Sequence, residues 1–110
     1  MVDLDILRRI QATLVERKHA APGTSYVASL YAKGTDSICK KVAEEAAETI
    51  MAAKDGDQLH LVREVADLWF HSLVLLGQFG VGVDDVVSEL RRREGISGID
   101  EKQSRKPEGA

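Results

Sequence analysis

The stretch from Val65 to Leu76 constrains the chain most. Stepped as a helix at about 100° per residue, Val65, Ala66, Leu68, Trp69, Phe70, Leu73, Val74, Leu75 and Leu76 cover most of its circumference. A helix with so much apolar surface is expected at the centre of a fold rather than on its outside. One polar stripe remains on it: His60, Glu64, Asp67 and His71, at the i, i+4, i+7 and i+11 spacing of a single face. Carboxylates on a buried helix must be paired, neutralised or metal-bound, because desolvating an unpaired charge is costly.

A second acidic cluster, Glu44-Glu45-Ala46-Ala47-Glu48, lies on the preceding helical stretch. A stripe of small and apolar residues there (Cys39, Val42, Ala43, Ala46, Ile50, Ala53) is expected to face a neighbouring helix. Glu44, Glu45 and Glu48 fall away from that stripe, with Lys41 among them. Read singly, each cluster is an ordinary solvated face. Read together across a short turn, they form two halves of a divalent-metal site, and the residues alone leave both readings open. With oxygen donors and no Cys/His pair at zinc spacing, such a site would favour Mg²⁺ or Mn²⁺ over Zn²⁺.

The rest of the chain reads as helices and breaks. Asp3 is placed to cap a first helix to about Lys18. Thr24 or Ser25 caps a second, Tyr26 to Ala32, which Gly34 ends. Thr35 or Asp36 caps the third, to about Lys54. Gly56 and Asp57 stop that helix and start the fourth, from about Gln58 to Phe79. Asp84 and Asp85 stand in the first turn of a fifth helix ending near Arg93. From Glu94 the chain reads as an extended or short-helical tail, flexible from about residue 106, with the last four residues disordered. No window alternates with period two, and aromatics are only 5%, so the expected fold is all-α: one domain, residues 1–110, of about five helices.

Charge and composition narrow the function classes. A net charge of −3 gives no reason to expect nucleic acid as a partner. The apolar run Leu73 to Gly77 is far below the roughly 20 residues that span a bilayer. The N-terminal residues lack the apolar region of a signal peptide. The single cysteine, Cys39, excludes an intramolecular disulfide and is expected to be a small buried side chain. The expected location is the cytoplasm.

Several segments carry a resemblance. Glu-Glu-x-x-Glu, a short turn and Glu-x-x-Asp resemble the all-α nucleotide pyrophosphohydrolases, the MazG-like superfamily. Ser25-Tyr-Val-Ala-Ser-Leu-Tyr-Ala-Lys-Gly34, Lys41-Val-Ala-Glu-Glu-Ala-Ala-Glu48, Glu64-Val-Ala-Asp-Leu-Trp-Phe-His71, Arg93-Glu-Gly-Ile-Ser-Gly98 and Glu101-Lys-Gln-Ser-Arg105 look like the phosphoribosyl-ATP pyrophosphohydrolases. The resemblance runs from about Leu4 to Arg105. It implies Mg²⁺-dependent hydrolysis of phosphoribosyl-ATP to phosphoribosyl-AMP and pyrophosphate, the second step of histidine biosynthesis, by a stand-alone homodimer. It also implies that Glu45, Glu48, Glu64 and Asp67 hold the metal, with Glu44 a further ligand or the group that orients the attacking water. Gly82-Val83 departs from the Ser-Pro often found before the fifth helix in that family.

The substrate's phosphates need cations. Candidates are Lys33, Lys40, Lys41, Arg92, Arg93, Lys102 and Arg105, with Lys41 and Arg93 favoured because both fall inside the matched segments. His71 is read as a satisfied core residue, or as a hydrogen-bond partner of a ligand carboxylate. His60 is read as surface, and Tyr26 and Tyr31 as core, with stacking on adenine the alternative. Trp69, Phe70, Leu73 and Leu76 are expected to need cover from a second subunit. The alternatives are a MazG-like enzyme acting on free nucleoside triphosphates and a non-catalytic helical dimerisation module.

Overall fold

A computed structural model describes residues 2–105. Among these the secondary structure is entirely helical. The elements are α1 (Ile6–Arg17), α2 (Tyr26–Lys33), α3 (Thr35–Asp55), α4 (Gln58–Gln78), α5 (Val83–Arg93) and α6 (Gly98–Ser104). The sequence suggested about five helices. The sixth arises because Ser97 accepts the Asp100 N–H on its Oγ and starts a short helix in the tail. The expected disorder of the last four residues lies outside the described residues.

Local chemistry sets most boundaries. Ser25 caps α2 by accepting the Ala28 N–H, and Asp57 caps α4 by accepting the His60 N–H. Gly56 closes α3 in the left-handed region, at φ 73°. Neither Thr35 nor Asp36 caps α3, which follows directly on Gly34. The Thr35 hydroxyl instead accepts a hydrogen bond from the Gln78 side chain. At α5 the cap works from inside the helix: the Gly82 N–H donates to Asp85 Oδ2 at 2.9 Å. Thus Gly82-Val83 retains one half of a capping box without a side chain at the N-cap.

The core is Leu14, Val27, Leu30, Tyr31, Ile38, Leu73 and Val74, with Leu7, Ile10, Phe70 and Leu76 packed against it. It joins α1, α2, the start of α3 and the second half of α4. Polar side chains tie the same region to the α4 backbone. Gln11 donates to the Leu73 carbonyl, Tyr31 to that of Val74, and Lys18 to those of Gly77 and Gln78. The last turn of α4 has no basic residue of its own. Lys18, brought in by α1, meets its exposed carbonyls and the negative end of its dipole.

Helix α4 is therefore central over only half its length. His71, Leu73, Val74 and Gly77 are buried, but Trp69 is 56% exposed and Leu59 and Val62 are also on the surface. Its first half pairs with the second half of α3 as a projecting antiparallel hairpin. Three expectations change here. The face α3 turns inward carries Ile38, Glu45 and Ala52, at i, i+7 and i+14, whereas Ala43, Ile50 and Ala53 point out. Cys39, expected to be buried, is exposed for the same reason. Leu73 needs no second subunit, since α1 and the core already bury it.

Candidate metal centre

The α3–α4 hairpin has a symmetry that can be read from the chain. Glu48 and Glu64 each lie eight residues from Gly56, and Glu45 and Asp67 each lie eleven. Folding about that glycine sets Glu48 level with Glu64 and Glu45 level with Asp67. Glu45, Glu48 and Glu64 each offer a carboxylate oxygen, all within 4.8 Å of one another. Asp67 is exposed and stands outside that tight group, close enough for its charge to act on Glu45.

Burial concentrates on Glu45, which is only 7% exposed. The α4 pattern had pointed to Glu64 and Asp67 as the costly charges; the most deeply buried acid is on α3. Removal from water, then the charges of Glu48, Asp67 and Glu64, push the Glu45 carboxyl up to about 7, while Lys41 pulls the other way. Oε2 of Glu45 and Oε2 of Glu64 are buried without a hydrogen-bond partner. His60 meets only the other oxygen of Glu64, Oε1, at 3.2 Å. Converging carboxylates, two of them with an orphaned oxygen, fit a hard divalent cation.

Glu44 is turned to the side. It lies 3.3 Å from the Lys41 ammonium and 4.0 Å from that of Lys40. The bond to Glu44 is the main reason that the Lys41 ammonium is held above its ordinary value. Lys41 also reaches Glu45 at 3.9 Å, so it borders the acid group.

One side chain to which the sequence assigned a packing role, Tyr26, sits at this border. Tyr31 is indeed in the core, but Tyr26 is 51% exposed. The Tyr26 hydroxyl lies 2.8 Å from His71 Nε2, and His71 Nδ1 lies 2.9 Å from the Asp67 carbonyl. A carbonyl only accepts, so Nδ1 carries a proton, and in the neutral ring Nε2 accepts from the phenol. Buried His71 thus anchors Tyr26 beside the acids. Its spacing from Asp67 was visible in the chain, whereas the contact with α2 depends on tertiary packing.

The basic tail makes its own cluster. Glu101, 5% exposed, lies 2.6 Å from Arg92, 3.2 Å from Arg105 and 3.6 Å from Arg93. Arg92 and Arg93 also bind Glu89. Arg93 and Arg105, candidates for a phosphate clamp, are thus joined through one carboxylate. Lys102 is exposed. Nothing brings these residues to the acid group within the described chain.

The phosphoribosyl-ATP pyrophosphohydrolase family profile matches residues 7–94. A protein of Azoarcus sp. named phosphoribosyl-ATP pyrophosphatase is 73% identical over 106 residues, covering 96% of this chain and 99% of its own. Proteins of the same name from Chromobacterium violaceum and Neisseria gonorrhoeae are 68% and 54% identical, over 94% and 91% of this chain and 95% and 94% of their own. With the matched residues spanning α1 to α5 and both acidic helices, the chain belongs to the phosphoribosyl-ATP pyrophosphohydrolase family.

Proposed function

We propose that the chain hydrolyses phosphoribosyl-ATP between its α and β phosphates, giving phosphoribosyl-AMP and pyrophosphate, as the second step of histidine biosynthesis. The observation that carries the metal reading is the pair of buried, partnerless oxygens on Glu45 and Glu64. Glu45, Glu48, Glu64 and Asp67 would hold Mg²⁺, or Mn²⁺ in its place. Bound there, the cation offsets phosphate charge and lowers the pKa of coordinated water.

The protein's share is positioning and electrostatics. The hairpin fixes the carboxylates in one register. Glu44, held at the edge of the group by Lys41, is the carboxylate left to orient an attacking water. Lys41 meets a substrate phosphate at the same edge. Arg93 and Arg105, both paired with Glu101, and the exposed Lys102 are further phosphate-binding candidates on the tail.

The active form is proposed to be a cytoplasmic homodimer. An apolar hollow of about 300 Å³ between α1, α4 and α5, walled by Trp69, Val86, Val87 and Leu90, supports this, since those four side chains are exposed. No helix among the described residues is long and apolar enough to cross a membrane, and no nucleic-acid partner is proposed.

Incubation with phosphoribosyl-ATP and with a panel of deoxynucleoside triphosphates tests the substrate. Pyrophosphate release is expected from phosphoribosyl-ATP by a large margin. Preference for the deoxynucleotides would instead place the chain among enzymes that cleanse the nucleotide pool.

A further inference from the structure

Resting on the reaction just proposed, the substrate has two anionic ends. Its triphosphate belongs at the acids, and its ribose 5-phosphate lies a purine and a ribose further on. The protein therefore needs a second cationic locus, reached along an apolar path. Lys41 cannot serve it, because it stands beside Glu44 and Glu45, at the triphosphate end. Arg92, Arg93 and Arg105 are held by Glu101.

Such a path runs along α1. A groove of about 560 Å³ lies between α1, α2 and the middle of α4, with Tyr26, Ile10 and Phe70 in its wall and Arg9 and Arg17 on its lining. The volume lies within the ordinary range for small-molecule sites. Tyr26 joins the groove to the acid site through His71, which is bonded to the Asp67 carbonyl. Ile10 and Phe70 also wall a second hollow, of about 340 Å³, that Asp67 itself lines. Ile10 and Phe70 thus border both the hollow that Asp67 lines and the groove along α1.

The charges are placed for the far phosphate. Gln11 bonds to the Leu73 carbonyl and Lys18 to those of Gly77 and Gln78, so α1 and α4 run in the same direction. Arg9 consequently stands nearer the level of Phe70, and Arg17 lies beyond it, about 12 Å further along the helix. Arg9 is paired with Asp3 at 2.9 Å. Among the described residues no carboxylate lies within 4.0 Å of the exposed Arg17. We propose that this groove holds the phosphoribosyl end of the substrate, with the purine against Tyr26 and Phe70 and the 5-phosphate on Arg17, assisted by Arg9.

Arg17→Glu and Arg17→Ala test it, with circular dichroism confirming the fold. The metal-free chain is titrated with phosphoribosyl-AMP, which carries the 5-phosphate and lacks the pyrophosphate. Its affinity should fall about tenfold or more in R17E, as expected for the loss of a charge-assisted contact. KM for phosphoribosyl-ATP should rise by a similar factor with kcat little changed, while inhibition by ATP, which lacks that phosphate, stays as in the wild type. Equal losses for ATP and phosphoribosyl-AMP would reveal a general charge effect and overturn the assignment. So would an unchanged affinity accompanied by a change in oligomeric mass, which would make a second copy the groove's occupant. A wild type that turns phosphoribosyl-ATP over, with KM unchanged in R17E, sinks the groove alone. A wild type that releases no pyrophosphate from it sinks the reaction and the groove together.

Discussion

Glu45 of α3 and Glu64 of α4 face each other across the helical hairpin, and each keeps a buried Oε2 with no hydrogen-bond partner. Two such oxygens near one point raise the energy of the metal-free protein, and a proton or a cation lowers it. Stability, metal binding and activity are therefore coupled through the same atoms.

The pH dependence of the metal-free protein follows in sign. Glu45 titrates at about 7 when folded, against 4.5 as its ordinary value. At pH values below both, each state holds the proton and the contribution to stability is fully present. Between them the unfolded chain has released its proton and the folded chain has not, so stability falls as pH rises. Calorimetric melting in chelator, scanned through this window, should show that decline. Glu45→Gln should flatten it, and a slope unchanged in the variant would show that another group is responsible.

The same substitution should separate stability from activity. Glu45→Gln removes a desolvated like charge, so the metal-free variant should melt above the wild type at pH 8. Hydrolysis should fall by about 100-fold or more, a loss comparable to removing a group that stabilises the transition state. A variant both less stable and fully active would contradict both halves of this reading.

Glu48 and Asp67 are exposed, so Glu48→Gln and Asp67→Asn should leave the fold intact. Each should lose about 100-fold or more in rate. Steady-state kinetics at saturating Mg²⁺ provides the check, since full activity there would remove that residue from the ligand set.

Gly77 tests the packing that positions α2 on α4. A Cβ at this position would run into the Tyr31 hydroxyl, which is bonded to the Val74 carbonyl. Gly77→Ala should therefore destabilise the chain by about 1–3 kcal/mol in a denaturant titration. Adding Tyr31→Phe should recover part of that loss, a non-additivity expected of residues in contact.

Much of this was legible in the chain because it rests on local chemistry. Ser25, Gly56 and Asp57 act where their residue types place them. The equal spacing of the acids about Gly56 sets Glu48 level with Glu64, but does not show that Glu45 joins them while Asp67 stands outside. The inward face of α3 was harder to read. A pattern rule ranks Ala43 and Ile50 above Glu45 for burial, yet the structure buries Glu45. A charge at a core position opposes the hydrophobic pattern, as functional sites often do. Long-range contacts were not legible either: Lys18 at the end of α4, Tyr26 on His71, and Glu101 beneath three arginines. Apart from Arg105, which lies one helical turn from Glu101, each joins residues whose separation in sequence carries no periodic signal.

The most direct test of the carboxylate centre is pyrophosphate release from phosphoribosyl-ATP as Mg²⁺ is titrated into chelator-treated protein, wild type beside Glu64→Gln. The expected result is no release without the cation, saturable activation in the wild type, and a rate at least about 100-fold lower in the variant at every Mg²⁺ concentration. Equal rates with and without Mg²⁺, or a variant that matches the wild type, would contradict the assignment of these carboxylates to a catalytic metal.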